Sequence, residues 1–230
     1  AGAPASCAAD GGADGLPVEG AVDKLPRAAA CLAEGVRRGW HYGAQVAVAR
    51  LGDPSDVAEA AVGWRAQGEP MRLDCLLGWS STVKPIMAIA LAQLHERGLL
   101  DFGDPVAQYV PEFAKRYRSK EAVTLQQVLL HTAGFPFAGL KLRHGADQEA
   151  ILQACIEADL DWPPGTRCCY HLHGWTVLAE VVRRVDGRPY GRYVREQIFG
   201  PLGMAECFVG MPAEERRRCG ARLAPLYRMP

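Results

Sequence analysis

The spacing of apolar and polar positions separates a strand-forming region near the start of the chain from a longer helical region. Residues 21–40 have helical spacing and predict an amphipathic helix. Residues 43–51 alternate as a strand does, residues 52–55 have turn composition, and residues 57–64 alternate again. This order predicts one helix followed by a β-hairpin. The apolar stripe of the helix consists of Leu25, Ala28, Ala29, Leu32 and Val36.

Helical patterns dominate the chain from Ser80 onward. Thr124 and Gln127 have the spacing of a capping box, which predicts a short helix ending near Gly134. Gly187 is placed to end a helix, and residues 162–165 and 200–203 have loop composition. The other helices are predicted at residues 82–99, 147–158, 175–185, 190–199 and, weakly, 216–224. Together with the hairpin, these helices define an α+β fold.

Three regions follow from this pattern. Residues 1–20 are rich in Ala and Gly and are predicted to form a mobile tail. Residues 21–66 form part of an α/β sheet, and residues 67–230 form a helix-rich part. Because two strands alone make a marginal sheet, further strands are expected to pair with the hairpin.

Composition narrows the classes of function. Among the 230 residues, Lys and Arg number 26 and Asp and Glu number 26, so the net charge is zero and nucleic acid is not an expected partner. No apolar run is long enough for a membrane span, and no signal-peptide pattern is visible, which favours a cytoplasmic location. The eight cysteines include no C-x-x-C pair and are interpreted mainly as small buried side chains.

The strongest candidate for chemistry is Ser81 with Lys84. At this spacing on a helix, the two side chains share one face. A serine hydroxyl needs a neighbouring base, and a lysine can act as that base when burial or a helix N-terminus disfavours its charge. Taken alone, a Ser-x-x-Lys motif occurs by chance about once in a chain of this length. The alternative to a catalytic role, for the motif by itself, is an exposed helix start followed by a solvated lysine.

The surrounding sequence changes that balance. The segments SSTVKPIMAIALAQLHERGLLDFGDPVAQYVPEF, VTLQQVLLHTAGFP and PPGTRCCYHLHGWTVLAEVVRRVDGRPYGRYVREQIFGPLGM occur in this order within residues 21–204. They resemble the serine β-lactamase and penicillin-binding-protein superfamily, most closely class C β-lactamases and family VIII carboxylesterases. The resemblance implies a β-lactamase/transpeptidase-like fold and a serine hydrolase or acyltransferase, with Ser81 as the acylated nucleophile. It also implies that Lys84 is the base, that Tyr170 relays protons, and that a small ester or amide is the substrate without a metal or organic cofactor.

The sequence departs from that superfamily in two places. The Asn expected two residues after Tyr170 is Leu172, with His171 between them. His171 and Trp79, which lies just before the serine, are the candidate substrate-binding residues. No K-T-G, H-x-G or W-x-G triplet follows Met204, so the C-terminal sheet strands are expected to be missing from a truncated chain. The alternative is therefore a non-catalytic fragment or binding protein of the same fold.

Two further interpretations concern histidines and cysteines. Cys168, Cys169, His171 and His173 are ligand types that suit zinc, but their spacing matches no standard zinc site, so no metal is expected. His131 and His95 lie in helical segments and are interpreted as structural. Oligomeric state cannot be predicted from these patterns.

Overall fold

The chain divides into two compact units. The computed structural model describes residues 10–11, 15–136 and 146–226. One unit comprises residues 1–79 together with 212–230, and the other comprises residues 80–211. None of the described helices is both long enough and apolar enough to cross a membrane.

The strands of the first unit are β1 (Asp10–Gly11), β2 (Pro17–Gly20), β3 (Gly43–Arg50), β4 (Asp53–Ala66) and β5 (Glu69–Pro70). They form an antiparallel sheet with the order β1-β2-β4-β3, and β5 pairs with β4. The predicted hairpin is confirmed, because β3 and β4 pair from Gly43 opposite Gly63 to Arg50 opposite Asp53. Helix α1 (Pro26–Arg37) begins later than predicted. Pro26 occupies its first turn, where the missing N–H of proline costs no helical hydrogen bond.

Strand β2 corrects the prediction of a mobile tail over residues 1–20. Val18 lies opposite Val62 of β4, so this segment supplies one of the strands that the hairpin needed. Gly20 has φ +97°, and a Cβ there would lie 2.3 Å from the backbone oxygen of Glu59. Glycine therefore permits the close approach that ends the strand. Residues 1–9 and 12–14 of the predicted tail lie outside the described residues.

The second unit is helical. The predictions for residues 82–99, 147–158, 175–185 and 190–199 are confirmed, and residues 195–199 form a π-helical turn. Its core is filled by side chains from most of its helices, including Leu91, Leu94, Phe113, Val177, Leu178 and Val181. The helices are α2 (Lys84–Glu96), α3 (Val106–Tyr109), α4 (Glu112–Lys115), α5 (Leu125–Leu129), α6 (Gln148–Glu157), α7 (Gly174–Asp186) and α8 (Tyr190–Val194).

Local signals at helix ends are confirmed at atomic detail. The N–H of Gln127 donates to Thr124 Oγ1 over 3.2 Å, and the N–H of Thr124 donates to Gln127 Oε1 over 3.0 Å. This is the predicted capping box, although α5 ends at Leu129 rather than near Gly134. Gly187 ends α7 in the left-handed conformation, as predicted.

The boundaries near the C-terminus differ from the prediction. The last helix, α9 (Ala213–Arg218), begins directly after Pro212 and is followed by a 3₁₀ turn at Gly220–Arg222. This end returns to the first unit, where the N–H of Leu76 donates to Arg222 O over 2.8 Å and the N–H of Ala224 donates to Leu76 O over 2.9 Å. The second compact unit comprises residues 80–211, whereas the helix-rich part was predicted over residues 67–230. A pairing between positions so far apart leaves no local pattern in the sequence.

Candidate active site

Ser81 lies in a 3₁₀ turn, Ser80–Val83, that leads directly into α2. Ser80, just before it, has φ +47°, a conformation that residues other than glycine adopt infrequently. Pro85 occupies the first turn of α2, where its missing N–H costs no helical hydrogen bond. The side chain of Ser81 is exposed, and Lys84 follows it at the predicted spacing.

The hydroxyl of Tyr170 joins the other two predicted catalytic residues. Ser81 Oγ lies 2.7 Å from Tyr170 Oη, and Lys84 Nζ donates a hydrogen bond to the same oxygen over 2.7 Å. Lys84 Nζ also lies 5.3 Å from the centre of the Trp175 ring. The structure therefore brings Ser81, Lys84 and Tyr170 together, although Tyr170 is 89 residues away from the serine.

These contacts change the acidity of the phenol. The hydrogen bond from Lys84, followed by the one with Ser81, lowers the pKa of Tyr170 from its ordinary value of 10.0. Both interactions favour the phenolate, because a donor stabilises the charged form of an acid. The site thus combines the hydroxyl of Ser81, the phenolic oxygen of Tyr170, which can accept its proton, and the side chain of Lys84, whose hydrogen bond stabilises the phenolate.

His131 holds the segment that carries Tyr170. The N–H of Cys169 donates to the backbone oxygen of His131 over 2.9 Å, and the N–H of His171 donates to its Nδ1 over 3.3 Å. The rings of His131 and Tyr170 lie 4.6 Å apart between centroids. His131 itself has φ +60°. Both chain neighbours of Tyr170 therefore donate hydrogen bonds to His131. The structural role predicted for His131 thus includes holding the segment that carries Tyr170.

The loop at residues 162–165 is hydrogen-bonded to the residues that directly follow His131. The N–H of Gly165 donates to Thr132 O over 2.8 Å, and the N–H of Asp161 donates to Gly134 O over 2.9 Å. Gly134 has φ +89°, and a Cβ there would lie 2.3 Å from Trp162 O. A side chain at position 134 would therefore separate the two segments that position Tyr170.

The two predicted substrate-binding residues have different surroundings. His171 is buried against His131 and Phe135, and burial is the main reason that its pKa falls to about 4. It is therefore neutral near pH 7, and its surroundings favour packing over contact with a substrate. Trp79 belongs to the other compact unit and is 41% exposed, so its role in binding remains a prediction.

The structure offers no support for the zinc alternative. Within the described residues, no group of three or more His, Cys, Asp or Glu side chains is arranged to hold a metal ion. Cys168 is exposed and Cys169 is partly buried, and both thiols are free. Their Sγ atoms approach backbone oxygens instead, at 3.7 Å from Leu130 O and 4.0 Å from Tyr170 O.

Comparison with known proteins defines the class. The family model described as beta-lactamase matches residues 28–227, so the chain belongs to the beta-lactamase family. Esterase EstB of Burkholderia gladioli is 33% identical over 183 residues, covering 72% of this chain and 46% of that protein. The structure of a family VIII carboxylesterase matches with a TM-score of 0.72 and 29% identity, covering 90% of this chain and 56% of that one.

A penicillin-binding-protein homologue from Caulobacter crescentus matches with a TM-score of 0.70 and 30% identity, covering 85% of this chain and 52% of that one. These matches confirm the predicted β-lactamase/transpeptidase-like fold. They place the chain in a family of serine hydrolases that includes esterases and penicillin-binding proteins. The chain spans about half the length of the relatives it matches.

Proposed function

We propose that the protein is an esterase that works through an acyl-enzyme on Ser81. The observation that carries the proposal is the position of Tyr170 Oη, at 2.7 Å from both Ser81 Oγ and Lys84 Nζ. A nucleophile with an adjacent proton acceptor is the minimal arrangement for covalent acyl transfer.

In the acylation step, Ser81 Oγ attacks the ester carbonyl carbon while its proton passes to the Tyr170 phenolate. The new C–O bond forms a tetrahedral intermediate, which collapses as the alcohol leaves with the proton held by Tyr170. Water then attacks the carbonyl carbon of the acyl-enzyme and gives a proton to the Tyr170 phenolate. As this second intermediate collapses, the bond to Ser81 Oγ breaks, Tyr170 returns the proton to Ser81 Oγ, and the acid is released. Lys84 donates to Tyr170 throughout. This assigns Tyr170 as the immediate base, whereas the resemblance had given that role to Lys84.

Two features favour an ester over a β-lactam or peptide. Leu172 stands at the position where the superfamily has an asparagine expected to hold the substrate amide. The relative from Burkholderia gladioli is an esterase. The backbone N–H of Ser81 is the proposed donor to the developing oxyanion.

Steady-state kinetics with p-nitrophenyl acetate and nitrocefin test this proposal, with Ser81→Ala as the control. The esterase proposal predicts ester hydrolysis that disappears in Ser81→Ala, with kcat/KM for nitrocefin at least tenfold lower. Preferential hydrolysis of nitrocefin would overturn the choice of substrate class. A well-folded protein that hydrolyses neither compound would instead support the alternative of a non-catalytic binding protein of the same fold.

A further inference from the structure

A pocket of about 370 Å³ lies inside the helical unit beside Lys84. Its walls come from α2, α6, α7 and α8, and most of its lining is apolar. Met87, Ile151, Leu172, Trp175 and Ala179 supply much of that lining. Among the described residues that line it, Lys84 is the one charged side chain.

Lys84 connects this pocket to the candidate active site. Its side chain lines the pocket, while its Nζ donates to Tyr170 Oη. Trp175 contacts both regions, because its ring lines the pocket and lies 5.3 Å from Lys84 Nζ. The ammonium group is engaged at Tyr170, so the interior of the pocket presents mainly the hydrocarbon stem of the lysine.

We infer that this pocket binds the acyl chain of the ester, and that the preferred substrate carries an uncharged, apolar acyl group of medium length. This inference rests on the proposed function. Ser81 lies in the 3₁₀ turn that leads into α2, and Val83 and Lys84, which follow it, both line the pocket. An acyl group bonded to Ser81 Oγ is therefore expected to extend towards this pocket. An apolar wall without a free charge favours alkyl or aryl groups and disfavours carboxylated ones.

Leu172 determines the polarity of this side of the pocket. It is 57% exposed and lines the pocket, so its side chain is available to contact a ligand there. It stands where the resemblance led us to expect an amide side chain. Replacing an amide by a branched alkyl group removes the hydrogen-bonding partner for a polar acyl substituent and adds apolar contact area for a hydrocarbon chain.

The volume limits the length of the chain. Pockets for small molecules span about 300–1,000 Å³, so this one is at the small end and suits a medium-length hydrocarbon chain such as hexanoyl, or a single ring, rather than a long fatty-acyl chain. Each methylene transferred from water into an apolar site contributes about 0.8 kcal/mol, equivalent to an increase of about fourfold in kcat/KM. We expect this increase to continue from the acetyl ester until the pocket is full and then to reverse.

The test measures kcat/KM of the purified protein for p-nitrophenyl esters from acetate to decanoate. Ala179→Phe places a ring in the pocket and is expected to move the optimum to a shorter chain, lowering the hexanoate-to-acetate ratio at least tenfold. Ile89→Phe adds the same ring to α2 at an exposed position outside the pocket lining, where Ile89 is 44% exposed. The ratio for this control is expected to stay within twofold of the wild type.

Leu172→Asn keeps the test decisive if Ala179→Phe does not fold, because Leu172 is largely exposed and lies outside the buried core. It is expected to lower the hexanoate-to-acetate ratio about tenfold. Ester hydrolysis that depends on Ser81 but has the same ratio in the wild type, Leu172→Asn and Ala179→Phe would overturn the acyl pocket while leaving the proposed function intact. Absence of Ser81-dependent hydrolysis with every ester overturns the proposed function and the acyl pocket together, and so differs from the first result.

Discussion

Lys84 Nζ and Tyr170 Oη are joined by a hydrogen bond of 2.7 Å in which the lysine donates. The same phenolic oxygen lies 2.7 Å from Ser81 Oγ. The tyrosine therefore stands between the serine and the lysine, and any proton leaving the serine along these contacts meets Tyr170 first. This geometry is the basis for assigning proton acceptance to Tyr170 and stabilisation of its phenolate to Lys84.

Tyr170→Phe removes the oxygen that both contacts share. Because positioned acid–base groups contribute about 10²–10⁴-fold, we expect kcat for p-nitrophenyl acetate to fall within that range while KM changes much less. Tyr170 is 54% exposed, so the free energy of unfolding is expected to stay within about 0.5 kcal/mol of the wild type. Kinetics and chemical denaturation of both proteins check the two expectations. A variant with full kcat would exclude Tyr170 as the base.

The acidity of Tyr170 predicts a spectroscopic signature. Its pKa lies below 10.0 because Lys84 donates to the phenol, so its phenolate forms at a lower pH than that of an ordinary tyrosine. We expect the difference between wild type and Tyr170→Phe, followed by tyrosinate absorbance, to show one such titration. In Lys84→Met the titration should move up towards 10, since the donor is lost. An unchanged titration in Lys84→Met contradicts the assigned interaction.

His131 is expected to act as a positioning residue for Tyr170. His131→Asn keeps an acceptor oxygen near the position of Nδ1 and tolerates the positive φ, whereas His131→Gly tolerates the φ but offers no acceptor. We expect His131→Asn to retain kcat within about tenfold, and His131→Gly to lose on the order of 10²-fold through displacement of Tyr170. Denaturation curves separate this effect from stability. Full activity in His131→Gly rules out the positioning role.

Lys120 makes a contribution to the free energy of unfolding that rises with pH. Its side chain is buried and donates to Cys155 O and Ile156 O, both over 2.8 Å, and burial lowers its pKa from 10.5 to about 8. Between these pH values the unfolded chain binds more protons at this group than the folded chain does, so the contribution of Lys120 to the free energy of unfolding rises with pH. A neutral amine still has two N–H groups for the two carbonyl oxygens.

Denaturation of wild type and Lys120→Met from pH 7 to 10.5 measures this contribution. The difference in the free energy of unfolding between the two proteins is expected to increase in favour of the wild type above pH 8. Using the difference removes the opposing effect of buried tyrosines, such as Tyr109, whose pKa burial raises to about 12. A difference that stays constant over this range contradicts the lowered pKa of Lys120.

Elements defined by local signals were predictable from sequence. The Thr124–Gln127 capping box and the helix end at Gly187 follow from short-range chemistry, and both are present in the structure. Strand β2 was missed because its four residues are too short to show alternation, and it exists as a strand through pairing with β4. The return of Leu223 to Leu76 was likewise hidden, since pairing over that separation has no local signature.

The candidate site divides in the same way. The spacing of Ser81 and Lys84 predicted their shared face, and the resemblance added Tyr170. The function of His131 depends on hydrogen bonds to Cys169 and His171, which are about 40 residues away, and on a positive φ that its residue type does not indicate. The sequence signal that pointed to it was its place in the segment VTLQQVLLHTAGFP, within the resemblance to the superfamily.

The central claim, that Ser81 is the acylated nucleophile, is tested most directly by labelling with a fluorophosphonate followed by mass spectrometry of the peptide containing Ser81. We expect one phosphonyl group per protein, attached to Ser81, absent in Ser81→Ala and formed much more slowly in Tyr170→Phe. A folded protein that is not labelled, or one labelled equally in Ser81→Ala, would contradict it.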